Sequence, residues 1–118
     1  MSNDIIDLKE VLERVQDDQE LFFELLEIFQ EDYAEKRKLL DGLVAQKDFE
    51  QLRNIAHSLK GASSNISAKK IYAYFAQLEK VSEEKEGGQI PAILANIDEQ
   101  YAALQNTIEK LKKELKKF

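Results

Sequence analysis

Apolar residues recur every three or four positions along five stretches of the chain, the spacing that places side chains on one face of an α-helix. The two longest stretches run from Asp18 to Ala45 and from Pro91 to Leu115. The first carries Phe22, Leu25, Leu26, Phe29, Tyr33, Leu39, Leu40 and Leu43, and the second carries Leu94, Ile97, Tyr101, Leu104, Ile108, Leu111 and Leu115. We interpret these side chains, the aromatic ones included, as core rather than as a ligand site.

Capping signals mark where the first three helices begin. Asp7 precedes a short apolar repeat that ends near Gln16, and Glu10 stands at the reciprocal position of a capping box. Asp18 and Asp48 occupy the same place before the second and third helices. Short polar residues favour this position because their side chains accept hydrogen bonds from the exposed backbone N–H groups of the first turn.

The third and fourth helices are separated by a short interruption, Asn65-Ile66-Ser67. Ser67 is predicted to cap the fourth helix, and Gly87 and Gly88 are predicted to terminate it. The apolar row of the third helix is Leu52, Ala56, Leu59, Ser63 and Ile66, and that of the fourth is Ile71, Tyr74, Phe75, Leu78 and Val81.

Short connections between these helices predict that sequential helices are antiparallel neighbours. The expected fold is therefore all-α, an antiparallel up-down four-helix bundle of the second to fifth helices, with the short N-terminal helix capping one end. The length of 118 residues predicts that residues 1–118 form a single domain.

Composition and charge exclude several classes of function. The net charge is −6, with −9 in residues 1–50 and +3 in residues 51–118, so nucleic-acid binding is disfavoured. In the basic stretch Lys110–Lys117 the lysines alternate with leucines, a pattern that indicates the solvated face of a helix. No apolar run of about 18 residues and no secretion signal is present, which predicts no membrane association and a cytoplasmic location. With no cysteine and a single histidine, a zinc site is disfavoured.

The candidate chemistry lies on the third helix, around the only histidine of the chain, His57. At about 100° per residue, Arg53, Lys60, Gly61 and Ser64 share one helix face with His57, beside the apolar row. The imidazole is therefore expected at the edge of the core and within reach of solvent. A neutral imidazole has a free nitrogen lone pair, and a nearby ammonium stabilises an incoming anion such as a phosphoryl group.

Gly61 is costly where it stands, because a glycine inside a helix destabilises it by about 1 kcal/mol relative to alanine. Two explanations remain open at the level of sequence. Gly61 either leaves room for a bulky group to approach the ring of His57, or it lets another helix pack closely.

The stretch His57-Ser58-Leu59-Lys60-Gly61, with Leu78-Glu79 following at 21 and 22 residues from the histidine, resembles the histidine-containing phosphotransfer (Hpt) domains of bacterial multistep phosphorelays. The resemblance covers about residues 4–86. One position departs from the family pattern, since Ser67 stands where these domains usually have a second glycine.

The resemblance implies the role of each site residue. His57 takes a phosphoryl group from the phospho-aspartate of a response-regulator receiver domain and passes it to another receiver. Lys60 neutralises the phosphoryl oxygens, and Gly61 and Ser64 give clearance. Glu79 binds the other ring nitrogen and fixes its tautomer. The chain itself then holds no cofactor, and the partner receiver supplies Mg²⁺.

The resemblance also implies the partners. Receiver domains are expected, together with a hybrid sensor histidine kinase, and the chain is expected to be a monomer without kinase activity of its own. The first helix and nearby apolar residues are the expected docking surface, with Ile5, Ile6, Leu8, Leu12 and Phe23 as candidates.

Two other functions stay open at this point. Kinase dimerisation domains also carry a phospho-accepting histidine on a helix, but an acidic residue usually follows it, and here Ser58 does. A helical scaffold in which His57 is inert would have the same fold.

Overall fold

The computed structural model describes residues 5–115, and of Leu115 its backbone alone. Five α-helices make up the described chain: α1 (Leu8–Arg14), α2 (Gln19–Gln46), α3 (Phe49–Asn65), α4 (Lys69–Glu83) and α5 (Ile90–Leu115). A single 3₁₀ turn, Gly87–Gln89, precedes α5. The all-α prediction is confirmed. Lys116, Lys117 and the side chain of Leu115, which the sequence assigned to the end of the last helix, lie outside the described residues.

The predicted aspartate caps are present at the first three helices. The carboxylates of Asp7, Asp18 and Asp48 accept hydrogen bonds from backbone N–H groups three residues later, at 3.1, 3.0 and 3.2 Å. Glu10 does not complete the capping box at Asp7. The N–H of Asp7 donates instead to the carbonyl of Ser67 at 2.9 Å, because α1 packs against the α3–α4 turn.

Ser67 does not cap α4, so this prediction is wrong. The N-cap residue is Ala68, whose side chain makes no capping bond. Ser67 has a φ of 55°, in the left-handed region, and its hydroxyl donates to Glu10 at 2.6 Å. A left-handed residue in this turn explains why glycine suits the position, since glycine adopts positive φ at little cost.

The prediction that Gly87 and Gly88 terminate α4 is also wrong. The helix ends at Glu83, and the left-handed residue after it is Lys85, with a φ of 57°. The N–H of Glu86 donates to the carbonyl of Val81 at 2.8 Å, which satisfies an end-of-helix acceptor. The two glycines instead form the 3₁₀ turn before α5.

Buried apolar side chains from all five helices form one cluster. The predicted rows of α3 and α5 lie in this cluster through the described residues, with two exceptions: Tyr101 is half-buried, and Ser63 is fully buried but polar. Leu39 is an exception on α2, because its side chain is 54% exposed. Its neighbour Leu40 is fully buried, so the apolar face of α2 is narrower at this point than the sequence suggests.

Pairs of contacting residues show how the helices run. On α3 and α4, Arg53 pairs with Glu83 and His57 with Glu79, so later residues of one helix meet earlier residues of the other. The same holds for α2 and α5, where Gln30 contacts Gln105 and Tyr33 contacts Asp98. Both helix pairs are therefore antiparallel.

Helix α1 crosses the α3–α4 turn. The guanidinium of Arg14 donates to the carbonyls of Ser64 and Asn65 at 2.7 and 3.2 Å, at the end of α3. His57 lies on α3 about two turns before this junction.

Candidate functional site

His57 lies near the middle of α3, and its side chain is 65% exposed. Its neighbours Ala56 and Leu59 are fully buried in the core. The helix is therefore anchored on one side while the imidazole projects from the other, as the helical spacing predicts.

Glu79, on the adjacent helix α4, contacts two residues of the motif, His57 and Lys60. One carboxylate oxygen, Oε2, lies 3.0 Å from Nδ1 of His57, and the other, Oε1, lies 2.7 Å from Nζ of Lys60. The Glu79 side chain is only 13% exposed. Because both of its oxygens are engaged and it is largely covered, Glu79 is held in one position against the two residues.

This contact determines which ring nitrogen carries the proton. An ionised carboxylate only accepts hydrogen bonds, and the ammonium of Lys60 is the main cause that lowers the pKa of Glu79. The hydrogen therefore sits on Nδ1 of His57 and is donated to Glu79. The other nitrogen, Nε2, keeps its lone pair in the exposed part of the ring.

Lys60 is paired with Glu79 in this structure. Its side chain is 24% exposed, less than that of His57. The hydrogen bond to Glu79 raises the pKa of Lys60 above its ordinary value, so the ammonium stays charged. Lys60 also follows His57 by three residues, a spacing that places side chains on neighbouring positions of a helix surface.

Gly61 is exposed on the same face of α3. A Cβ atom built on it would meet no atom from outside its own stretch of helix within 4 Å, and its φ is not positive. Neither close helix packing nor an unusual backbone angle requires glycine here. The sequence left two explanations for Gly61, close helix packing and room beside the ring of His57. The second is the one that agrees with the structure.

Ser64 is exposed two turns after His57, about 10 Å further along the helix axis. With Arg14, Lys69 and Tyr72 it lines a groove between α1, the end of α3 and the start of α4. Ser64 therefore lies beside the approach to His57 rather than against the ring itself.

Two features of the site were not predicted from the sequence. One is the ion pair between Lys60 and Glu79. The other is a second ion pair between α3 and α4, where Nε of Arg53 lies 3.1 Å from Oε2 of Glu83. The sequence does indicate that Arg53 lies on the same helix face as His57. Periodicity within α3 does not indicate which residue of α4 pairs with it.

The apolar docking candidates differ in accessibility. Ile6 is fully buried, so it is not available to a partner in this structure. Ile5, Leu8, Leu12 and Phe23 are partly buried against the core. Tyr72, which the sequence did not single out, is 39% exposed on α4.

Within residues 5–115, no group of three or more histidine, cysteine, aspartate or glutamate side chains is arranged to hold a metal ion. No helix of this part of the chain is long and apolar enough to cross a membrane.

Comparisons with known proteins agree on one family. The sequence model of the Hpt domain matches residues 24–114. The crystal structure of histidine-containing phosphotransfer protein B from Pseudomonas aeruginosa PAO1 superposes with a TM-score of 0.85. The match has 27% sequence identity and covers 96% of this chain and 98% of that one. A search among curated proteins found no match.

Proposed function

The chain belongs to the Hpt domain family, and we propose that His57 is the residue that carries the phosphoryl group. A phosphorelay role in two-component signalling, by histidine phosphotransfer, follows from this membership. Hpt proteins are phosphotransfer intermediates rather than kinases.

The observation that carries the proposal is the exposed imidazole of His57, whose Nδ1 is held by Glu79 and whose Nε2 is the nitrogen left for the reaction. In the transfer, the lone pair of Nε2 forms a bond to phosphorus, and the bond from phosphorus to the aspartyl oxygen of the receiver breaks. The carboxylate of the receiver leaves with the electron pair. No proton has to be removed from the ring, because Nδ1–H stays in place and the ring becomes an imidazolium.

Glu79 supports this step in two ways. It orients the ring so that Nε2 points outward, and its negative charge stabilises the positive charge that develops on the ring. Because Glu79 lies on α4, the orientation of His57 depends on how α3 and α4 pack together.

The remaining residues shape the approach. Lys60 stabilises the negative charge of the transferred group. Gly61 leaves space for the receiver next to the ring, and Ser64 keeps the groove at the end of α3 open. These roles are proposed from exposure and position on one face of α3.

The partners are receiver domains, since interaction with them is implied by the family. We propose that one receiver, or a hybrid sensor kinase that contains one, loads His57 and that a second receiver unloads it. Phosphoryl transfer uses Mg²⁺, and we place this ion on the receiver, because Glu79 already has both oxygens engaged by His57 and Lys60. A cytoplasmic location stays a prediction from the sequence.

A phosphotransfer assay tests the proposal. The chain is incubated with a panel of phosphorylated receivers, and acid-labile, base-stable label is followed on the wild type and on His57→Gln. We expect label on the wild type and none on the variant. Label on His57→Gln would place the acceptor elsewhere, and an unlabelled wild type across the panel would favour the inert scaffold. The kinase dimerisation class is not supported, because the matched family is Hpt.

A further inference from the structure

We propose that Lys60 changes counter-ion during the reaction, leaving Glu79 for the phosphoryl group as Glu79 takes up the charge of the imidazolium. Glu79 would then be a positioning residue that holds the Lys60 ammonium in an ion pair between transfers. This inference rests on the proposed function of His57 and concerns how its neighbours respond to phosphorylation.

The resting arrangement shows the starting point. Nζ of Lys60 lies 2.7 Å from Oε1 of Glu79, a shorter contact than the 3.0 Å from Nδ1 of His57 to Oε2. Lys60 therefore faces Glu79 and not open solvent. An ammonium on a flexible four-carbon stem can swing to a new partner without moving the helix, and Lys60 is one turn from His57 on the same face.

Charge balance favours the exchange. The form of the His57 ring that reacts is the neutral one, and before transfer the charges of Lys60 and Glu79 compensate each other. After transfer, the site has gained a positive ring and a phosphoryl group with negative oxygens, while the proton on Nδ1 has not moved. Two positive and two negative groups then form two new pairs: imidazolium with Glu79, and Lys60 with the phosphoryl oxygens.

Burial gives the exchange a direction. Glu79 is the least exposed member of the site, at 13%, and His57 the most exposed, at 65%. The phosphoryl group on Nε2 therefore lies on the outer side of the ring, away from the covered carboxylate. Lys60, which is 24% exposed, lies between these two values, so its ammonium is less enclosed than the carboxylate that it contacts.

A double-mutant cycle separates this exchange from other arrangements. Lys60→Met removes the ammonium and keeps the length of the side chain, and Glu79→Gln removes the charge but leaves an oxygen to accept Nδ1–H. Rates of transfer from one phosphorylated receiver are measured for the wild type, both single variants and the double variant. Circular dichroism melts check that each protein is folded, and Lys60→Gln replaces Lys60→Met if that variant is not.

If Lys60 must leave Glu79 in the reaction, the loss of that ion pair offsets part of the stabilisation that Lys60 gives to the transferred phosphoryl group. The increase in transfer rate due to Lys60 is therefore smaller in the wild type than it would be without Glu79. The rate penalty of Lys60→Met is then larger in the Glu79→Gln background than in the wild type, by about two- to five-fold, the range of a partly exposed ion pair. Equal penalties in both backgrounds would overturn the exchange in favour of independent roles. A smaller penalty would overturn it in favour of Glu79 holding Lys60 where it already acts.

Glu83→Gln is the matched control, since it removes the carboxylate of the neighbouring α3–α4 ion pair with Arg53. We expect the penalty of Lys60→Met to be unchanged in that background, and a penalty enlarged as much as by Glu79→Gln would overturn the specific role of Glu79.

Nuclear magnetic resonance of the Lys60 side chain gives a readout that a structural role would not move. Its ¹⁵Nζ shift should change on phosphorylation of the wild type, because the exchange replaces the Glu79 carboxylate beside the ammonium with a phosphoryl oxygen. A Lys60 signal unaffected by phosphorylation would overturn the exchange. A wild type that never accepts label would contradict the proposed function itself, so the two failures are distinguishable.

Discussion

Gly61 is the residue whose identity the fold explains least and the proposed reaction explains best. A Cβ atom there would meet nothing outside its own helix within 4 Å, yet glycine weakens the helix. We therefore interpret the lower stability of α3 at this position as the cost of keeping space beside His57. This makes Gly61 a point where stability and transfer should respond in opposite directions.

Replacing Gly61 separates these two effects. We expect Gly61→Ala to raise the free energy of unfolding by about 0.8–1 kcal/mol, the difference in helix propensity. Gly61→Gln should keep the fold but slow transfer, because its longer side chain obstructs the receiver beside the ring. Urea unfolding and the transfer assay measure the two quantities.

Gly42 provides the matched control, because it also lies inside a helix, α2, and a Cβ there would meet nothing within 4 Å. Gly42→Ala should give a similar gain in stability, and Gly42→Gln should leave transfer unchanged. Unimpaired transfer by Gly61→Gln would contradict the clearance role of Gly61.

At the scale of elements, the α3–α4 turn shows how tertiary contacts override a local signal. Serine is a residue type that favours helix N-caps, but Ser67 has a left-handed backbone conformation and does not cap α4. Its hydroxyl donates to Glu10 instead and so links α1 to the turn. Lys69 strengthens the same junction through ion pairs with Asp7 and Glu10 at 3.3 and 3.2 Å.

Two substitutions at Ser67 test this account. Ser67→Ala loses the hydroxyl bond and keeps the positive φ, so we expect a loss of about 1 kcal/mol in the free energy of unfolding. Ser67→Gly loses the same bond but relieves a backbone cost of about 1 kcal/mol, so its stability should stay within about 0.5 kcal/mol of the wild type. A Ser67→Gly protein less stable than Ser67→Ala, measured by urea unfolding, would contradict the account.

The second element-scale prediction concerns the contact between α2 and α5. Arg37 donates to both oxygens of Asp98 at 2.8 and 2.9 Å, and the hydroxyl of Tyr33 donates to the same carboxylate at 3.0 Å. Arg37 is the main cause that lowers the pKa of Asp98 below its ordinary value of 3.8, and Tyr33 adds to it. Because the folded state prefers the ionised form, the carboxylate contributes stability above about pH 4 and loses it as the pH falls further.

Asp98→Asn should therefore be less stable than the wild type near neutral pH, by about 1 kcal/mol or less, because the Asp98 side chain is 50% exposed. The difference in melting temperature should shrink as the pH is lowered from about 6 to about 3. Asp41→Asn is the control, since Asp41 pairs with the same Arg37 but is 78% exposed and should matter less. A difference that is constant across this pH range would contradict the linkage.

At the scale of the whole molecule, α2 and α5 are the longest helices, and the described part of the chain measures 49 by 21 by 21 Å. The radius of gyration of 15.0 Å exceeds the roughly 13–14 Å expected for a compact domain of this length. Elongation of this kind follows from long helices laid side by side rather than from separate domains.

A single domain is the prediction from this shape, and a monomer stays a prediction from the family resemblance. We expect one cooperative unfolding transition, with the same midpoint by circular dichroism and by tyrosine fluorescence. Light scattering coupled to size exclusion should give the mass of one chain at all concentrations. Two separate transitions would contradict the single domain, and a mass of two chains would contradict the monomer.

Much of the helical fold could be predicted from the sequence because it depends on the spacing of residues close together in the chain. The periodic rows of α2 and α5 and the caps at Asp7, Asp18 and Asp48 are set by residues within a few positions of each other. The turn at Ser67 and the ion pair of Lys60 with Glu79 depend on contacts between separate elements. Periodicity carries no information about which residues of two helices come face to face, so these features needed the structure.

The central claim is that Nε2 of His57 carries the phosphoryl group while Glu79 holds the hydrogen on Nδ1. Long-range ¹H–¹⁵N nuclear magnetic resonance tests it directly, because His57 is the only histidine and its ring signals are unambiguous. We expect the resting ring to be protonated on Nδ1 and the phosphorylated ring to carry phosphorus on Nε2. Phosphorus on Nδ1, or labelled protein whose His57 signals are unchanged, would contradict the account.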